Sequence, residues 1–239
     1  MLLPNEKTRP SASMENQVIL LYGQSKIGKS TLASQFPGAI FASTEPGLKY
    51  LEAYQVEVNN WDTFIKMCSE LEKEEHDFKT VVIDTIDLLY SFLTKKISRS
   101  AGVDDISDMK SFSKGYRMAN EGLHNTLAKL TNMTTKRGHK MGLIMISHIT
   151  QREDEGRVLW APTLSPSPTK RMQGMADIIC CADVYRGEGG KVERILRLSS
   201  HPKFFGLGGR VPNLPEVTKL NYKDFEETVM KSIKELNNV

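Results

Sequence analysis

The chain has 239 residues, a formal net charge of +3 and 39% hydrophobic residues. That length suits one α/β domain with a full core, and so mild a charge neither requires nor excludes a nucleic-acid partner. No apolar run approaches a membrane span, and Met1 to Asn16 lacks the apolar stretch of a signal peptide, so a cytoplasmic protein with no membrane partner is expected.

Residues 1–16 read as a flexible tail and 17–239 as one domain. Val18–Tyr22 is a short β-prone run of the kind found in buried parallel strands. Gly23, Gln24, Ser25, Lys26, Ile27, Gly28, Lys29 and Ser30 follow it and fit G-x-x-x-x-G-K-[ST] at every fixed position. Thr31 to Phe36 can open a helix that Pro37-Gly38 stops. Strand, glycine loop and helix together predict a phosphate cradle. Its backbone N–H groups face the anion, Lys29 reaches the β- and γ-phosphates of ATP, and Ser30 holds Mg²⁺.

Further strands are predicted at Ala39–Ser43, Thr80–Asp84 and Gly142–Ser147, and a terminal pair at Asp177–Tyr185 and Val192–Ser199 joined at residues 187–190. Helices are predicted at 62–76 with Asp62 as N-cap, at 88–97 and at 115–130. Alternating strands and helices imply a mostly parallel sheet covered on both faces. Two mobile loops are expected, near 98–113 and at 151–174, the latter rich in Pro, Ser and charge. Cys68, Cys180 and Cys181 lack metal-ligand spacing, and the adjacent pair reads as buried strand thiols.

Three positions extend the cradle toward hydrolysis. Asp84 ends an apolar strand beside the loop, where a carboxylate can hold the magnesium shell. Asp87 competes for that role but suits the start of the next helix. Glu45, just past the second strand, can orient an attacking water, or be a turn residue before Pro46-Gly47. His148, after Ser147 at the end of the fourth strand, can touch the γ-phosphate and relay its presence to the following loop, or be an ordinary hydrogen-bonded histidine. Tyr50 or Tyr54 can stack on adenine or pack in the core.

These residues together resemble the RecA superfamily, over about Val18 to Leu198. The motifs are Gly23–Thr31, Phe41-Ala42-Ser43-Thr44-Glu45, Val81-Val82-Ile83-Asp84-Thr85 and Ile144-Met145-Ile146-Ser147-His148. In bacterial RecA the residue at His148 is glutamine. The chain lacks RecA's N-terminal arm and C-terminal domain, and looks closer to core-only bacteriophage ATP-binding proteins, including single-strand annealing proteins of the Sak type. The resemblance implies a RecA-like P-loop α/β fold with strand order 5-1-4-3-2, here carrying a C-terminal β-hairpin. It implies Glu45, Lys29 and His148 as catalytic groups, Gly23 to Thr31 as the nucleotide cradle, and Ser30 with Asp84 at the metal.

The resemblance also implies DNA-binding loops after the third and fourth strands. Lys95, Lys96, Arg99, Lys110, Lys114 and Arg117 follow the third; they are DNA contacts or solvated helix faces. Arg152, Arg157, Trp160, Lys170 and Arg171 accompany the fourth, where cations suit phosphates and an indole suits a base. RecA-like proteins assemble so that a neighbour's cation completes the site, and Lys203 or Arg210 is a candidate. The expected activity is an ATP- and Mg²⁺-dependent ATPase that binds single-stranded DNA, forms a ring or filament of its own copies, and promotes annealing or recombination with a single-strand-binding protein as a further partner. The alternatives are a nucleotide-gated binding protein with little turnover and a P-loop motor on nucleic acid.

Overall fold

The computed structural model describes residues 13–154, 156–187 and 190–237. Eleven strands form in chain order among these residues: β1 (Val18–Gly23), β2 (Ala39–Ser43), β3 (Tyr54–Glu57), β4 (Thr80–Asp84), β5 (Gly142–Ser147), β6 (Ile149–Asp154), β7 (Arg157–Pro162), β8 (Ile178–Arg186), β9 (Val192–Arg197), β10 (Gly208–Gly209) and β11 (Val217–Lys219). The helices are α1 (Lys29–Ser34), α2 (Trp61–Lys73), α3 (Ile86–Ser100), α4 (Phe112–Asn132), α5 (Pro166–Met175) and α6 (Tyr222–Asn237).

A nine-stranded sheet runs β11-β9-β8-β1-β5-β4-β2-β3, with β10 paired to β8. In this sheet β8, β1, β5, β4, β2 and β3 pair in parallel; β9, β10 and β11 pair antiparallel. The five strands read from the sequence as parallel thus lie in the order β8-β1-β5-β4-β2. Every residue of β1, β2, β4 and β5 is buried, because both faces of a parallel sheet are covered. Side chains alternate between the faces with a period of two. Leu20, Tyr22, Val81, Ile83, Leu143 and Met145 enter one core with residues of α2, α3 and α4. Ile19, Leu21, Val82, Ile144 and Ile146 enter the other, with Leu32 of α1 and Phe225, Val229 and Ile233 of α6.

Several expectations need correction. Of the N-terminal tail, residues 1–12 lie outside the described residues, but Met14–Asn16 form a 3-10 turn, with Met14 buried in the α1–α6 core. Helix α2 starts at Trp61 and is capped by Asn60, whose side chain accepts from the Thr63 N–H; Asp62 lies in its first turn. The segment 98–113 is shorter in irregular structure than expected. It holds the end of α3, a 3-10 turn at Ile106–Asp108 and the start of α4.

The largest correction is at 151–174, which forms a hairpin and a helix instead of a loop. β6 and β7 pair from Ile149↔Pro162 to Asp154↔Arg157, and α5 follows. Polar composition hid the hairpin because pairing and docking, not a core face, hold it. The Trp160 N–H donates to the Lys203 carbonyl (2.8 Å), and the Phe205 N–H donates to the Trp160 carbonyl (2.9 Å). Among the described residues no helix is long and apolar enough to cross a membrane. Cys180 and Cys181 are buried free thiols whose pKa burial pushes up.

Candidate nucleotide site

The carboxyl ends of β1, β2, β4 and β5 converge, so residues just past them share one edge of the sheet. The loop between β1 and α1 begins at Gly23, where a Cβ would stand 2.5 Å from the Ala182 carbonyl oxygen, so no larger residue fits. It ends at Gly28, whose φ of 116° suits glycine. Ile27 anchors the loop by burying its side chain in the α1–α6 core.

Lys29 opens α1 and is buried. Its ammonium donates to the carbonyls of Gly23 (2.9 Å) and Gln24 (2.8 Å). Burial lowers its pKa, and the carboxylates of Asp84, Asp87 and Glu45 partly restore it. The Ser30 hydroxyl donates to Asp84 Oδ2 at 2.6 Å. Burial pushes the Asp84 carboxyl above the usual range, opposed by the Ser30 bond.

Glu45 sits on a turn pinned to β4. The Thr44 N–H donates to the Asp84 carbonyl (2.8 Å), the Thr85 N–H donates to Thr44 Oγ1 (2.7 Å), and the Ser43 hydroxyl donates to the Glu45 carbonyl (2.9 Å). His148 follows β5. Its Nε2 lies 3.3 Å from Glu45 Oε1, and its Nδ1 lies 3.2 Å from the Ser25 hydroxyl. A proton on Nε2 faces the carboxylate and leaves Nδ1 to accept from Ser25. Asp87 fixes this arrangement. Its carboxylate accepts from the Ser147 hydroxyl (2.7 Å) and the His148 N–H (2.8 Å).

Lys29, Ser30, Glu45, Asp84 and His148 therefore line one cleft of about 430 Å³, together with Tyr50 and Arg194. Tyr50 is exposed on the cleft, and Tyr54 of β3, also exposed, lies outside it and meets the Phe78 ring edge-on. Arg194 was not singled out by its sequence context. It is one of several cations on the β8–β9 hairpin, and only the sheet register brings it here.

The remaining predicted residues lie elsewhere. Arg152 donates to the carbonyls of Pro162 (3.0 Å) and Leu164 (2.6 Å) and lies over the Phe205 ring, so it frames the hairpin instead of standing ready for phosphates. Trp160 is half-buried, Arg157 and Lys170 are exposed and Arg171 is half-buried. Lys203 and Arg210 do not line the cleft. Arg210 pairs with Asp177 (2.8 Å) and donates to the Gly174 carbonyl (2.8 Å) at the other end of the sheet. A larger cleft of about 770 Å³ lies at that end, but it lacks the phosphate loop.

The polar groups of the smaller cleft fit a nucleotide with magnesium. Lys29 presents a desolvated cation, Ser30 and Asp84 present two hard oxygen donors in contact, and the loop is open to a polyphosphate. Among the described residues no group of three or more His, Cys, Asp or Glu is placed to hold a metal. Ser30 and Asp84 would therefore share the ion with nucleotide phosphates, as magnesium sites commonly do.

A family model described as "AAA domain" matches residues 15–208. The chain belongs to this family. Its fold is that of a P-loop NTPase, and membership accords with nucleotide binding and ATP hydrolysis. The chain is also 25% identical over 100 residues to the SPbeta prophage-derived uncharacterized protein YorG of Bacillus subtilis (strain 168). That match covers 40% of this chain and 31% of the relative, so the chain spans about a third of the relative's length.

Proposed function

We propose that this chain is an ATP- and magnesium-dependent ATPase of RecA-like type that binds single-stranded DNA and supports strand annealing or recombination. The placement of β5 between β1 and β4, with Glu45 facing the phosphate loop, supports the RecA-like reading. Ser30 and Asp84 would hold the ion, which would supply charge neutralisation at the phosphate oxygens. Lys29 turns from the Gly23 and Gln24 carbonyls to the phosphate chain. Glu45 orients the attacking water and takes up its proton as the bond from water to the γ-phosphorus forms and the bond from that phosphorus to the β-phosphate oxygen breaks, releasing ADP. Assembly with further copies, a single-strand-binding protein partner, a phage origin and work in the host cytoplasm belong to the same proposal.

The observation that carries the reading is the position of His148. Its ring stands between Ser25 of the phosphate loop and Glu45, and its backbone leads directly into β6. The Thr163 N–H, just past β7, donates to the His148 carbonyl (2.9 Å). A γ-phosphate entering between Ser25 and Glu45 displaces this ring and moves the hairpin at both its ends. Arg157 at the tip, and Lys170 on α5, supply exposed cations for a DNA backbone.

The test is phosphate release with and without single-stranded DNA, paired with anisotropy of a labelled oligonucleotide in a non-hydrolysable ATP analogue and in ADP. DNA should stimulate turnover, and binding should be tighter with the analogue. His148→Ala should flatten that difference. Absence of oligonucleotide binding at low salt in either nucleotide would defeat the DNA assignment.

A further inference from the structure

Gly23 at the end of β1 pairs with Ala182 of β8, and two residues on Val184 pairs with Arg194 of β9. Arg194 therefore stands level with the phosphate loop, though about 170 residues separate them in sequence. Its Nη1 lies 3.6 Å from where a Cβ on Gly28 would stand, and its side chain lines the same cleft as Lys29, Ser30 and Asp84. Neighbouring charges are spent. Arg197 donates to Asp183 (2.8 Å) and approaches Glu216, and Lys191 pairs with Glu193. Among the described residues no carboxylate pairs with Arg194, which is exposed toward the cleft.

The cleft's own charges leave work for a second cation. Glu45 and Asp84 contribute carboxylates, the Lys29 ammonium is bound to two carbonyls, and Lys26 of the loop is a single exposed ammonium without a fork of donors. A polyphosphate adds several negative charges. A guanidinium offers a planar fork of donors that matches phosphate oxygens two at a time. The antiparallel pairing of β9 with β8, and the parallel pairing of β8 with β1, hold that fork above the loop.

We propose that Arg194 is a phosphate-chain cation of the nucleotide site, supplied by the same subunit through its β8–β9 hairpin. The inference rests on reading the cleft as a nucleotide site. It removes the need for a neighbour's Lys203 or Arg210 to bind nucleotide.

Titration calorimetry with magnesium and a non-hydrolysable ATP analogue, and separately with inorganic tripolyphosphate, tests this. Arg194→Ala should weaken both by roughly 10- to 100-fold, the loss expected for a charged hydrogen bond. Arg194→Lys should recover part of it, and Lys191→Ala on the same hairpin should bind as wild type does. Unchanged affinity in Arg194→Ala would overturn the inference while leaving the nucleotide reading intact. A wild-type protein that binds neither ligand would overturn both. Mixing Arg194→Ala with Lys29→Ala should restore no turnover, since neither subunit carries both groups. Recovery on mixing would show delivery between subunits and overturn the same-subunit assignment.

Discussion

The two ends of β1 carry two clefts of opposite character. At the amino end, the Val18 N–H donates to Asp177 Oδ2 (2.9 Å), the Asp177 N–H donates to the Val18 carbonyl (2.7 Å), and Arg210 pairs with Asp177 Oδ1. Charge there meets its partner within the chain. At the carboxyl end, Lys29 and Asp84 are desolvated and shifted toward their neutral forms. The amino-end cleft is larger, at about 770 against 430 Å³. Size therefore does not mark the site. Charged groups held away from water without full compensation do, because a ligand can supply what the chain withholds.

The sharpest way to break this comparison is Lys29→Ala. It removes the buried cation and should weaken ATP-analogue binding by roughly 100-fold or more, since charged contacts contribute about 1.5–3 kcal/mol each. Calorimetry reads it directly, and wild-type affinity would remove the carboxyl-end cleft from consideration. Next in size is Glu45→Gln, which keeps the shape and loses the base. Analogue binding should persist while phosphate release falls by roughly 100-fold or more. Normal turnover would move the water-orienting role to another group, such as Asp87.

The amino end should respond in the opposite sense. Asp177→Ala strands the Val18 N–H and takes the carboxylate partner from Arg210, and should cost about 1–3 kcal/mol in urea unfolding. Nucleotide affinity should stay within twofold of wild type. A tenfold loss of affinity would show that the ends are coupled through β1.

How much of this was legible in the sequence follows the same division. The phosphate loop is contiguous, and its spacing is set by local geometry, so Gly23 to Ser30 could be read directly. Asp84, Glu45 and His148 could be found because each ends or follows an apolar strand. Arg194 could not, because pairing through β8 creates its proximity. The β6–β7 hairpin was hidden for a related reason. Ile149–Asp154 begins with one isoleucine and continues polar, and it is held by pairing with β7, whose Trp160 bonds to the backbone of residues 203 and 205. Arg152 looked like a DNA contact by composition, yet its partners are carbonyls of its own chain. β3 is an exposed edge strand of four residues, too short and polar to announce itself.

The smallest effect is also the most diagnostic for the metal. Asp87 lies in the first turn of α3 and accepts from Ser147 and His148. Burial raises its carboxyl pKa, and those two bonds only partly oppose it. The folded state therefore holds this proton more tightly than the unfolded chain, whose carboxylate titrates near about 3.9. The stability contributed by Asp87 is then fullest below that value and is lost as pH rises toward the raised folded pKa. Asp87→Asn cannot titrate and loses one acceptor, which should cost about 1 kcal/mol near neutral pH. Its deficit against wild type should widen as pH falls through the window above about 3.9. Urea unfolding in metal-free buffer at stepped pH measures the gap. A gap that narrows on acidification would mean the carboxylate is held in its charged form, and would make Asp87 a rival to Asp84 for magnesium.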